Sequence, residues 1–116
     1  MELRRGTLIL AVLGALRGEK YGYTLRTELS EQGVEIDEGA LYPMLRRLET
    51  QGLLTSEWRE DAKRQKRFYR LSDDGAAALS QLTEEWRAMN RALESILDAP
   101  SPVTSGAARG PKEAGR

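Results

Sequence analysis

The sequence contains no cysteine and no histidine. Without cysteine there is no disulfide, no thiolate metal site and no thiol nucleophile. Without histidine the common proton shuttle near neutral pH is missing. Phenylalanine occurs once, and aromatic residues make up only 6% of the 116 positions. Net charge is absent too, because 18 Lys and Arg balance 18 Asp and Glu. No apolar run is long: the richest, LILAVLGAL from Leu8 to Leu16, falls well short of the ~20 residues of a bilayer span. Arg4 and Arg5 before it raise a signal peptide as the alternative. However, Arg17-Gly18-Glu19-Lys20 follows in place of a small-residue cleavage site. We read this stretch as a buried helix and the protein as cytoplasmic. There is also no metal-ligand cluster, nucleophile–base pair or phosphate loop, so we expect no catalytic residue, no metal, no cofactor and no enzyme.

What is present is a chain of single-domain size whose neutrality is an average. Residues 59–71 carry six basic and two acidic side chains, whereas residues 72–98 carry two basic and six acidic. A local patch of this kind can meet a polyanion although the whole chain is neutral.

The pattern predicts an α+β fold, mostly α. Residues 3–17 read as a first helix, with Gly18 as its stop. Tyr21, Leu25 and Leu29 at i, i+4 and i+8 give a second helix ending at Gly33. Val34-Glu35-Ile36 alternates like a three-residue strand. Asp37 or a near neighbour caps a third helix that ends at Gly52. Leu53–Trp58 and Arg67–Leu71 read as strands flanking a charged turn, EDAKRQK. Ser72 caps a fourth helix, with Asp73 and Asp74 in its first turn, running to about Asp98. This order is the winged helix-turn-helix plan with a long C-terminal helix. We divide the chain into a head (1–71), a dimerisation helix (72–98) and a tail (99–116). The tail is rich in Gly, Pro and Ala and is expected to be disordered.

In the third helix Leu41, Met44, Leu45 and Leu48 share one face. Gly39, Ala40, Tyr42, Pro43 and Arg46 lie elsewhere, with Arg47 at the edge. Small residues admit close backbone approach, a tyrosine hydroxyl can donate to phosphate, and arginine can contact phosphate or guanine. A solvated helix face is the plain alternative. The turn between the strands carries Lys63, Arg64 and Lys66, suited to phosphates beside a groove. Its plain alternative is charge that deters strand-edge pairing. Of Phe68 and Tyr69, which alternate, one is expected in the core. Leu79, Leu82, Trp86, Met89, Leu93 and Ile96 form a heptad seam on the fourth helix. It fits intramolecular packing for its first part and a second copy of the chain beyond. Trp86 and Met89 in such a dimer could face a flat apolar effector, or simply pack. These readings favour a regulator of double-stranded DNA over a winged-helix protein-interaction module that docks an acidic partner.

Two segments carry a closer likeness. GALYPMLRRLETQGLLTSEW (39–58) followed by KRFYRLSDDG (66–75) resembles the PadR family of bacterial transcriptional regulators. RRGTLILAVLGAL (4–16) and YGYTLRTEL (21–29) are similar to that family's first two helices. The single C-terminal helix resembles its short branch, which includes regulators of multidrug transporters. The resemblance implies a dimeric repressor that leaves operator DNA when it binds a small molecule. By the same resemblance, Tyr42, Pro43 and Arg46 fall on the recognition-helix motif, and Lys63, Arg64 and Lys66 fall on the wing. Trp86 falls near the position where short-branch members stack planar drugs. Ala40 replaces a common Ser or Thr, and Tyr21 a common His.

Overall fold

The computed structural model describes residues 2–100, with side chains from Gly6 onward. Four helices and three short strands follow in the order α1 (Glu2–Ala15), β1 (Lys20–Tyr21), α2 (Gly22–Glu31), α3 (Glu38–Thr50), β2 (Leu54–Asp61), β3 (Arg64–Leu71) and α4 (Asp73–Leu97). The expected fold class is thus present: mostly helical, with a small antiparallel sheet of order β1-β3-β2. The chain divides into two units, Met1–Glu84 and Glu85–Arg116. The tail beyond residue 100 lies outside the described residues.

Local sequence signals explain how most elements stop and start. α1 ends at Ala15, two residues before the expected end, where the Lys20 ammonium donates to the Ala15 carbonyl at 2.6 Å. α2 and α3 both end in the same two-bond motif. After α2, Gly33 N–H donates to Ser30 O and Val34 N–H to Leu29 O, at 2.9 and 2.8 Å. After α3, Gly52 N–H donates to Glu49 O and Leu53 N–H to Leu48 O, both at 2.9 Å. Each motif needs a left-handed residue past the helix, and Gly33 and Gly52 supply it with φ of +91° and +84°. The Ser72 hydroxyl accepts the Gly75 N–H at 2.9 Å, which confirms the cap expected for α4. Asp37 does stand before α3, but its side chain forms no capping hydrogen bond. The residue at that position is right and the expected mechanism is not.

Two expectations about the sheet are corrected. Val34-Glu35-Ile36 is not a strand. Val34 and Ile36 pack half-buried against the core, and the free edge of β3 is taken by Lys20 and Tyr21, opposite Tyr69 and Phe68. The hairpin is also longer than its apolar residues suggest. Pairing continues out to Asp61 opposite Arg64, so the charged stretch is ladder, and only Ala62 and Lys63 make the turn. The outer rungs are polar on both faces, and that hides a strand from any search for apolar alternation.

The core of the first unit joins Val12, Leu13 and Leu16 of the α1 segment, Leu25 and Leu29 of α2, and Leu41, Met44, Leu45 and Leu48 of α3. Leu54 and Tyr69 of the sheet complete it. The four α3 residues are those expected from helical spacing. Tyr69 is the core member of the aromatic pair, while Phe68 stands half-buried, edge-on to Tyr21 with ring centroids 5.3 Å apart. Leu79 and Leu82 of α4 pack partly buried against this core. In the second unit Trp86, Met89, Leu93 and Ile96 are 46%, 60%, 46% and 68% exposed. No helix among the described residues is long and apolar enough to cross a membrane.

Candidate nucleic-acid interface

The core stripe of α3 turns its opposite side outward, so Gly39, Ala40, Pro43, Arg46 and Arg47 are all exposed. Pro43 lies inside the helix, beyond its first turn. It has no N–H to donate to the Gly39 carbonyl, so the helical ladder lacks that donor on the exposed first half of α3. Tyr42 is placed differently from its neighbours. Its ring is half-buried and lies directly on Gly22, where any Cβ would collide with the Tyr42 ring. It therefore also locks α3 onto the start of α2. Arg26 of α2 adds a second tie, donating to Glu38 at the start of α3 at 2.8 Å.

A brace fixes α3 against the hairpin. The Ser56 hydroxyl of β2 donates to the Glu49 carboxylate of α3 at 2.8 Å. Arg67 of β3 donates to Ser56 Oγ at 2.9 Å and to the other Glu49 oxygen at 3.3 Å. The angle between α3 and the wing is thus held by a carboxylate shared between a hydroxyl and a guanidinium, a charge-assisted pairing.

The wing cations fall into two groups. Arg59 pairs with Glu19 and with Glu57, and stacks 4.0 Å above the Phe68 ring. Lys66 pairs with Asp61 at 2.9 Å and sits 4.3 Å above the Tyr21 ring. Its Asp61 partner and a hydrogen bond to Tyr21 raise the Lys66 pKa. Hydrogen bonds from Thr24 and Lys66 lower that of Tyr21. Lys66, expected to face phosphates, is therefore engaged inside the wing. By contrast, Lys63, Arg64 and Arg70 are exposed and form no ion pair among the described residues. Lys63 stands at the tip itself. Ala62 and Lys63 hold φ of +52° and +66°, the left-handed geometry a two-residue hairpin turn requires, here without the usual glycine.

The model of the transcriptional regulator PadR-like family matches residues 9–81, which span α1 to the first part of α4. The chain belongs to the PadR-like family. It is 40% identical to the transcriptional regulator Rv3488 of Mycobacterium tuberculosis, over 86% of this chain and 92% of that protein. A PadR family regulator from Eggerthella lenta is 39% identical, with a TM-score of 0.79 over 85% of this chain and 88% of the other. A PadR-like transcription factor from Bacteroides fragilis is 29% identical, with a TM-score of 0.73 over 82% and 94%. The chain is thus a PadR-family transcriptional regulator with the winged-helix DNA-binding fold of that family, a family of regulators and not of enzymes.

In this PadR-family head, α3 and the wing bring Tyr42, Arg46, Arg67 and Tyr69 around one groove. Trp86 and Met89 belong to the second unit. Sequence reasoning missed Glu49, Ser56 and Trp58. Glu49 and Ser56 act only through one another and Arg67. Trp58 sits on the inner face of the wing opposite Arg67, 60% exposed. Its one visible signal was an indole in a strand too polar to need it.

Proposed function

We propose that this regulator is a repressor that binds a near-palindromic operator as a homodimer and is released by a small planar effector. The observation that carries the DNA reading is the sorting of its cations. Lys20, Arg26, Arg59, Lys66 and Arg67 are neutralised by carboxylates within the head. The exposed Arg46 and Arg47 of α3 and Lys63, Arg64 and Arg70 of the wing form no ion pair among the described residues, and these are the two elements a winged helix lays on a duplex. Unpaired cations at such positions release counterions from DNA, so affinity should fall by about 0.9 log units per log unit of salt for each phosphate met.

The homodimer reading rests on the exposed part of the α4 seam, Trp86, Met89, Leu93 and Ile96. Four large apolar residues on one stripe suit a second copy. The effector reading places a flat molecule near Trp86 and Met89 in that dimer. The deciding experiment is selection of bound duplexes from a random pool. A two-fold symmetric consensus with half-sites about one helical turn apart is the expected result. Recovery of no sequence, with capture of an acidic protein partner by the wing, would replace this reading with that of an interaction module.

A further inference from the structure

One helix and both strands of the wing meet at a single carboxylate. Glu49 lies in the last turn of α3, Ser56 on β2 and Arg67 on β3. Their polar contacts close a ring. Ser56 Oγ donates to Glu49 Oε2 and accepts from Arg67 Nε, while Arg67 Nη2 donates to Glu49 Oε1. Arg67 is flanked by rings as well, with its guanidinium 5.5 Å from the centroid of Trp58 and 5.8 Å from that of Tyr69.

This ring of contacts is not buried: the Glu49 and Arg67 side chains are 29% and 38% exposed. Arg46, three residues before Glu49 on α3, lines the same groove as Arg67. A carboxylate thus stands among the cations of the surface that we place on DNA. Exposed ion pairs add little to stability, and a carboxylate here repels phosphate whatever the bases. Its effect on binding is therefore to weaken the sequence-independent part. Specificity is a difference of affinities, so suppressing that part widens the preference for a correct site.

We propose that Glu49 is a specificity-determining residue that acts through Arg67: it withholds the Arg67 guanidinium from DNA phosphates and, with Ser56, pins both strands of the wing to α3. A freed Arg67 would meet phosphate on any sequence, and an unpinned wing would settle on grooves of differing width. Both changes favour non-specific binding. The inference rests on the DNA-binding reading, and the test separates the two.

The full chain is titrated by anisotropy over a range of salt with two labelled probes, a random-sequence duplex and the consensus duplex recovered by selection. Glu49, Ser56 and Arg67 lie outside the apolar core, so each variant should still unfold in one thermal transition. Glu49→Gln, which keeps the shape and loses the charge, should bind the random duplex several-fold more tightly at low salt. Its salt slope should steepen by about 1, the share of one added phosphate contact, and its preference for the consensus should fall. Glu49→Gln combined with Arg67→Gln leaves the site neutral, as in wild type, and should restore the wild-type slope. Glu60→Gln is the control, an exposed wing carboxylate with no ion pair among the described residues, whose loss frees no arginine. Ser56→Ala keeps both charges, so it should leave the slope unchanged and lower the preference. An unchanged slope in Glu49→Gln, equal steepening in Glu60→Gln, or a double variant shallower than wild type overturns the proposal. So does uniform weakening on both probes, the mark of a brace that only supports the fold. If Glu49→Gln does not fold, an undiminished preference in Ser56→Ala overturns it. A wild-type chain that binds neither duplex at any salt removes the DNA reading instead.

Discussion

A methyl group at position 75 has nowhere to go. Gly75 is buried in the first turn of α4, and a Cβ there would run into the Leu53 carbonyl, a backbone atom that cannot swing aside. Gly75→Ala should therefore cost about 2–3 kcal/mol in urea unfolding, in the range of overpacked sites. Gly14 in α1 is the control, since a Cβ there meets nothing within 4 Å. Gly14→Ala should be neutral or gain up to about 1 kcal/mol from helix propensity. Tyr69 gives a pH prediction. Its phenol is raised above the ordinary 10.0 by burial. The stabilisation from its neutral form is complete below the ordinary tyrosine range and is lost as pH rises through the Tyr69 pKa. Melting temperatures of wild type should thus fall more steeply above that range than those of Tyr69→Phe. On the DNA-facing side, Arg46→Ala should cost about 1–3 kcal/mol of operator affinity and relax choice at one base pair, if it contacts a base edge. Lys63→Ala should weaken all duplexes alike and reduce the salt slope by about 1. Anisotropy titrations at several salt concentrations separate the two.

At the scale of the element, the wing shows the cost of a two-residue turn made without glycine. Ala62 and Lys63 both hold positive φ, a geometry that costs about 1–2 kcal/mol for each residue with a side chain. Ala62→Gly should raise stability by about 1 kcal/mol, and Ala62→Val should lower it, both read from urea unfolding. The ladder below that turn was hard to see in the sequence for a related reason. Arg59, Glu60, Gln65 and Lys66 pair across the strands without one apolar residue among them. In contrast, the ends of α2 and α3 were legible, because Gly33 and Gly52 do their work within five residues of chain. β1 was not legible, since two residues carry no periodicity and become a strand only where β3 offers a free edge.

At the scale of the whole molecule, the heptad seam of α4 serves two surroundings. Leu79 and Leu82 pack against the core of the first unit, and Leu93 and Ile96 of the second unit are largely exposed. If a second copy covers the exposed part, wild type should sediment as a dimer at micromolar concentration. Leu93→Asp should then sediment as single chains while the melting of the head is retained, because Leu93 belongs to the second unit and is exposed there. Wild type found only as single chains would remove the paired-head account of operator binding.

The sequence by itself determined the helix stops at Gly33 and Gly52, the Ser72 cap, the four leucine and methionine positions of the α3 core, and the apolar seam of α4. All of these arise from contacts within a few residues of chain or from a repeat along one helix. Tertiary structure alone decided which cations were neutralised, that Glu49 would brace the wing through Ser56 and Arg67, and that Tyr42 would lie on Gly22. It also gathered Trp58, Arg46 and Tyr69 around one groove. Most of those pairings join residues of different elements, from five to forty positions apart, and their partners are chosen by the packing of helices on a sheet, which no local pattern specifies.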